Sequence, residues 1–144
     1  METTKSRKFL IATHGTFAKG IKSSLDFIVG ETQDVFLIQA YVDGNKSIEE
    51  ELNSVLQNVN ANDELVVFTD LLGGSITNQV LRYALKENVH IVSGINLPLL
   101  IDVLMADIDT PVEEVIESAI TNAKAQLVYV NKLITANNTE NNDD

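Results

Sequence analysis

Cysteine is missing from all 144 residues, so disulfides and thiolate metal sites are excluded. Histidine occurs only at positions 14 and 90, which leaves little from which to build a zinc site, and no cofactor or metal is expected. No apolar run approaches the ~20 residues that span a bilayer. The polar start Met-Glu-Thr-Thr-Lys-Ser-Arg-Lys has no leader-like apolar segment behind its charges beyond the short Phe9–Ala12, so a cytoplasmic protein is expected. Basic residues are few, 10 against 21 acidic, and the net charge of −11 argues against a nucleic-acid surface and for a basic protein partner. Two phosphate signatures are also absent. There is no Gly-x-x-x-x-Gly-Lys-Ser/Thr loop and no Gly-x-Gly-x-x-Gly after the first strand, which leaves nucleotide and dinucleotide binding unsupported.

What remains reads as one domain from 8 to 134, with a flexible lead-in over 1–7 and a disordered acidic tail over 135–144. Phe9–Ala12 is a first strand. A helix follows, with Phe17, Ile21, Leu25 and Ile28 at helical spacing and Gly30 as its end. Val35–Tyr41 is the second strand, and Asp43-Gly44-Asn45 the next turn. Ser47 with Glu50 is a capping box for a helix striped by Ile48, Leu52, Val55, Leu56 and Val59. Leu65–Phe68 is the third strand, Ser75 to about Lys86 the third helix, and Val89–Ser93 the fourth strand. Pro98 starts a short helix from Leu99 to about Ala106, and Thr110-Pro111 with Glu113 opens a last one through Ala123. The β-branched and aromatic run Leu127–Val130 predicts a fifth strand. Alternating strands and helices give an α/β fold, a doubly wound and mainly parallel sheet with helices on both faces.

In such sheets ligands lie beyond the carboxyl ends of the strands. His14 follows the first strand and Asp70 the third, so the two are expected at neighbouring strand ends. Neutral histidine is a nucleophile near pH 7, and a carboxylate accepting the hydrogen of one ring nitrogen frees the other to attack phosphorus. Gly73, Gly74 and the Ser75 hydroxyl, at the start of the third helix, offer donors to phosphoryl oxygens. Singly, each residue has a plain reading: a turn histidine, a capping aspartate, a tight bend. Their gathering at strand ends favours a phosphoryl site. His90 lies within a strand and is read as structural.

The segments Phe9-Leu-Ile-Ala-Thr-His14-Gly-Thr-Phe, Phe68-Thr-Asp70-Leu-Leu-Gly-Gly-Ser75 and Val92-Ser-Gly-Ile-Asn-Leu-Pro98-Leu-Leu resemble the mannose-family IIA component of the bacterial phosphoenolpyruvate-dependent sugar phosphotransferase system. The resemblance runs from about Lys8 to Ile134. It implies that His14 receives a phosphoryl group from the phosphocarrier protein HPr and passes it to a IIB component serving a sugar permease. It implies that Asp70 holds the imidazole so that Nε2 carries the phosphate, and that Gly73, Gly74 and Ser75, with Thr13 beside the histidine, line the phosphoryl site. It also implies a homodimer that exchanges its last strand, here Leu127–Leu133, as an antiparallel partner. No IIB-like segment follows, so IIB is expected on a separate chain. Leu72 and Ile76 depart from the aromatic residue and the proline often found there. Two other readings stand beside this one: the phosphotransfer subunit of a phosphoenolpyruvate-dependent dihydroxyacetone kinase, and a non-catalytic α/β regulatory or ligand-binding domain.

Overall fold

Strands buried on both faces need apolar residues at successive positions, and the two most apolar runs of the chain form the centre of the sheet. The structure, a computed structural model, describes residues 6–42 and 46–142. Its strands are β1 (Arg7–His14), β2 (Val35–Ala40), β3 (Glu64–Thr69) and β4 (Val89–Ser93), all parallel and ordered β2-β1-β3-β4. Alternate residues face opposite layers. Phe9, Ile11, Val66, Phe68 and Val92 pack against α1 (Phe17–Val29), α4 (Leu97–Leu104) and α5 (Val112–Gln126). Leu10, Ala12, Leu65, Val67 and Val89 pack against α2 (Ile48–Leu56) and α3 (Ser75–Ala84). The direction of winding reverses between β1 and β3, which makes the gap at their carboxyl ends the switch point of the sheet.

Local chemistry sets the element ends. Ser47 Oγ accepts from the Glu50 N–H at 3.1 Å and starts α2, as the capping pair predicts. Asn96 does the same for α4 through the Leu99 N–H at 3.0 Å, with Pro98 in the first turn, so this helix begins two residues earlier than expected. Pro111 rather than Thr110 precedes α5, without a side-chain cap. The Thr110 carbonyl instead accepts from the Arg7 guanidinium at 2.8 Å. Arg7 opens β1, so strand structure reaches into the stretch expected as a lead-in. The turn expected at Asp43-Gly44-Asn45 lies outside the described residues.

The carboxyl-terminal segment differs from expectation. Leu127–Tyr129 has no regular structure, and α6 (Val130–Asn142) occupies both the rest of the expected fifth strand and most of the expected disordered tail. The physical reason lies in the backbone: a strand needs a neighbour to take its N–H and C=O groups, whereas a helix satisfies them within itself. Among the described residues no helix is long and apolar enough to cross a membrane.

At the amino ends of the strands, Asp63 is 5% exposed. It accepts from the Ser6 hydroxyl and from the Asn60 N–H at 2.9 Å, and it pairs with Lys8 at 3.0 Å. The Ser6 hydroxyl first, then the Asn60 N–H, hold its carboxyl below the ordinary 3.8 against the opposing effect of burial. A lowered carboxyl stabilises the fold at pH values above 3.8, and that contribution disappears as pH falls through the lower, folded-state value. Asp63→Ala is therefore expected to lower stability at pH 7 by about 1–3 kcal/mol and to flatten the acid limb of the stability profile. Chemical denaturation against pH measures both, and an unchanged midpoint at pH 7 refutes the assignment.

Candidate functional site

The site is assembled where the last residue of β1 meets the residue after β3. Asp70 Oδ2 accepts the main-chain N–H of His14 at 2.8 Å. The same carboxylate faces the His14 ring, with Nδ1 3.0 Å from Oδ2 and 3.2 Å from Oδ1. Three contacts thus fix ring and backbone together across the switch point. Burial works to raise the Asp70 pKa, but the His14 N–H, the ring nitrogen and the ring's charge together outweigh it and hold the carboxyl below its ordinary value. A carboxylate so held is an acceptor, so the hydrogen between the two groups belongs to Nδ1 and the lone pair of the neutral ring falls to Nε2. The His14 side chain is 38% exposed while Asp70 is 14% exposed. The imidazole is therefore partly open to solvent, and the acid that contacts it is largely sheltered.

The turn after β3 brings the third component. Gly73 takes φ +76°, a backbone region that suits glycine, and lets the chain reverse directly into α3. Gly74 is the residue before the helix, and a Cβ placed on it would lie 3.5 Å from His14 Cε1 and 3.4 Å from Leu71. The start of α3 thus lies against the carbon between the two ring nitrogens, at ordinary van der Waals distance. The first N–H groups of a helix lack intrahelical acceptors and carry partial positive charge, and no acidic residue occupies the first turn of α3 to claim them. The turn is held from below. Thr77 donates to the Leu71 carbonyl at 2.7 Å and shares a 2.8 Å hydrogen bond with Thr69.

The structure brings together His14, Asp70, Gly74 and Ser75, with Gly73 shaping the turn. It does not bring Thr13. Strand alternation points Thr13 to the face opposite His14, where it is fully buried and its hydroxyl accepts the Ala18 N–H at 2.8 Å. Thr13 starts α1 rather than lining the histidine pocket. Of the two departures noted in the sequence, Ile76 is fully buried in the layer beneath α3, and Leu72 is 86% exposed at the tip of the turn. One residue that sequence reasoning passed over stands at the site. The Tyr41 ring lies 5.8 Å from the His14 ring, centroid to centroid, and its hydroxyl is 2.7 Å from Ser75 Oγ. Its only sequence signal is its place at the carboxyl end of the strand beside β1.

Among the described residues no three histidine or carboxylate side chains gather as metal ligands. An open cleft of about 940 Å³ lies at the opposite end of the sheet, where Arg7, Asp63 and Glu113 line it with His90. Its acidic lining does not suit a phosphoryl group, and it contains none of the residues around His14.

Comparison with known proteins finds relatives in sequence and in fold. Residues 8–120 match the family described as PTS system fructose IIA component, EIIA-man. The PTS system mannose-specific EIIAB component of Escherichia coli K12 is 30% identical over 105 residues, covering 71% of this chain and 32% of the relative. This chain thus matches about a third of that protein's length. A candidate phosphoenolpyruvate-dependent sugar phosphotransferase permease from Klebsiella pneumoniae superposes with a TM-score of 0.84 at 35% identity, covering 90% of this chain and 94% of the other. A PTS IIA protein associated with the fucose utilization operon of Streptococcus pneumoniae gives 0.75 at 28% identity, covering 92% and 99%.

Proposed function

The chain belongs to the IIA family of the sugar phosphotransferase system, and on that footing we propose that it is a phosphohistidine relay, taking a phosphoryl group from HPr onto His14 and handing it to a IIB component. The observation that carries the reading is the double contact of His14 Nδ1 with Asp70 at the switch point, which leaves Nε2 as the nucleophile. In the accepting step the Nε2 lone pair forms a bond to phosphorus as the donor's phosphorus–nitrogen bond breaks, and that electron pair returns to the donor's ring. Delivery to IIB is the same exchange with the roles reversed. Asp70 offsets the positive charge that the ring acquires, and the N–H groups opening α3, with the Ser75 hydroxyl, receive the phosphoryl oxygens. The acidic protein, with a net charge of −11, suits donors and acceptors that are basic around their own reactive residue. The relay is assigned to the cytoplasm.

The test is to incubate the protein with phosphoenolpyruvate, enzyme I and HPr. The expected product carries a base-stable, acid-labile label that maps to the peptide containing His14. A non-catalytic α/β domain takes no label, and label on another residue refutes the site.

The homodimer with an exchanged strand belongs to the same reading. Leu127 and Tyr129 are 85% and 71% exposed, and β4 ends the sheet with an outer edge that no described strand covers. An extended Leu127–Leu133 from a second copy would pair there and bury those side chains. Light scattering is expected to give twice the chain mass, and a protein lacking residues 127–144 a single chain mass. A monomeric full chain refutes the exchange.

A further inference from the structure

Tyr41 is held in place by something other than burial. It follows β2 and takes φ +67°, a region that bulky side chains rarely adopt, yet it is 68% exposed. Among the described residues two contacts hold it: the tilted approach of its ring to His14 at 5.8 Å and 32°, and the 2.7 Å hydrogen bond between its hydroxyl and Ser75 Oγ. The side chain therefore reaches from the end of β2 past the histidine to the first residue of α3. Asp70 meets the ring at Nδ1, and this clasp closes another side of the same site.

Counting hydrogens defines what the clasp can do. Two hydroxyls carry two hydrogens, and the bond between the oxygens uses one. Either oxygen can donate, and the greater acidity of phenol favours Tyr41 as the donor, which leaves Ser75 its own hydrogen. An oxygen that accepts one hydrogen bond becomes a stronger donor in the next. We propose that Tyr41 is a positioning residue of the phosphoryl site: by donating to Ser75 Oγ it fixes and polarises the Ser75 hydroxyl, whose hydrogen then bonds a phosphoryl oxygen on His14. This rests on the phosphohistidine reading, but it is testable apart from HPr.

The probe is phosphoramidate, which phosphorylates an accessible imidazole without a protein donor. Nε2 forms a bond to phosphorus, the phosphorus–nitrogen bond of the reagent breaks, and ammonia leaves with that electron pair and a proton. The lifetime of the phosphohistidine is then followed by phosphorus NMR at neutral pH. Ser75→Ala is expected to shorten it about 10-fold, the effect of losing one hydrogen bond to a charged group, and Tyr41→Phe about 2–4-fold, because Ser75 keeps its hydrogen and loses only the fixing and polarisation. The double variant is expected to be no shorter-lived than Ser75→Ala, because Tyr41 acts only through that hydroxyl. Thermal midpoints should not move, since both groups lie at the surface. A Tyr41→Phe lifetime equal to wild type overturns the proposal, as do losses that multiply in the double variant. Failure of the relay reading looks different: His14 takes phosphate from phosphoramidate with the lifetimes above, but takes none from HPr.

Discussion

His14→Ala is expected to lose more than about 10³-fold of its phosphoryl transfer while keeping its fold. The fold survives because the bond that ties β1 to Asp70 through the backbone, at 2.8 Å, belongs to the His14 main-chain N–H and remains when the ring is removed. The ring is partly exposed, and its removal costs chiefly its contact with Asp70, which keeps its main-chain bond, so the loss of stability should stay near about 1 kcal/mol. The chemistry does not survive because nothing nearby replaces the lone pair. Tyr41 and Ser75 present hydroxyls that are weak nucleophiles without a base, and the Asp70 carboxylate left in the site is held below its ordinary pKa and is a poor base. The other histidine, His90, lies on β4 and lines the cleft at the far end of the sheet. Labelling from phosphoenolpyruvate through enzyme I and HPr measures the loss, with circular dichroism and a thermal melt as the folding control. Full label on the folded variant would remove His14 from the mechanism.

Much of this site could be read in the sequence because it depends on short-range chemistry. Four successive apolar residues ending at Phe68, followed by Thr69-Asp70 and two glycines, already specify a buried strand, a polar strand end and a tight turn into a helix. The capping pair Ser47 and Glu50 needs only its own helix. Where expectation and structure part, a partner elsewhere in space decides. Thr13 neighbours His14 in sequence but faces the other layer, a consequence of period-two alternation that was open to inspection. Tyr41 reaches the site through a left-handed backbone and a bond to a residue 34 positions away, neither of which composition or spacing encodes. The β-branched run at Leu127–Val130 shows the limit of propensity, because it states a preference for strand without supplying a neighbour to pair with.

Asp70→Asn isolates orientation from nucleophilicity, since every atom of the histidine stays in place. The carboxylate faces two N–H groups, the His14 main chain at 2.8 Å and Nδ1, which lies 3.0 and 3.2 Å from its two oxygens. A carboxamide of the same shape has one accepting oxygen and one donating nitrogen. The oxygen kept at the Oδ2 position by the main-chain bond still lies 3.0 Å from Nδ1, but the amide NH2 at the Oδ1 position, 3.2 Å away, competes by donating to that nitrogen, and a share of the rings then carry their hydrogen on Nε2. That is the tautomer that cannot attack phosphorus. The substitution also removes the negative charge that steadies the phosphorylated ring, so both the approach to the transition state and the product suffer. A loss of about 10²–10⁴-fold in transfer rate is expected, the range seen when an orienting carboxylate becomes an amide in other histidine–aspartate pairs. Nitrogen NMR of the ring supplies the decisive readout, because a merely structural role for Asp70 leaves the tautomer untouched. The pH response carries a second signature. The lowered carboxyl of Asp70 stabilises the fold above the ordinary 3.8, and that contribution is lost as pH falls through its folded value, so the variant should lack this part of the acid sensitivity. Transfer at the wild-type rate with an unchanged Nδ1–H tautomer would show that the ring is oriented by something other than this acid.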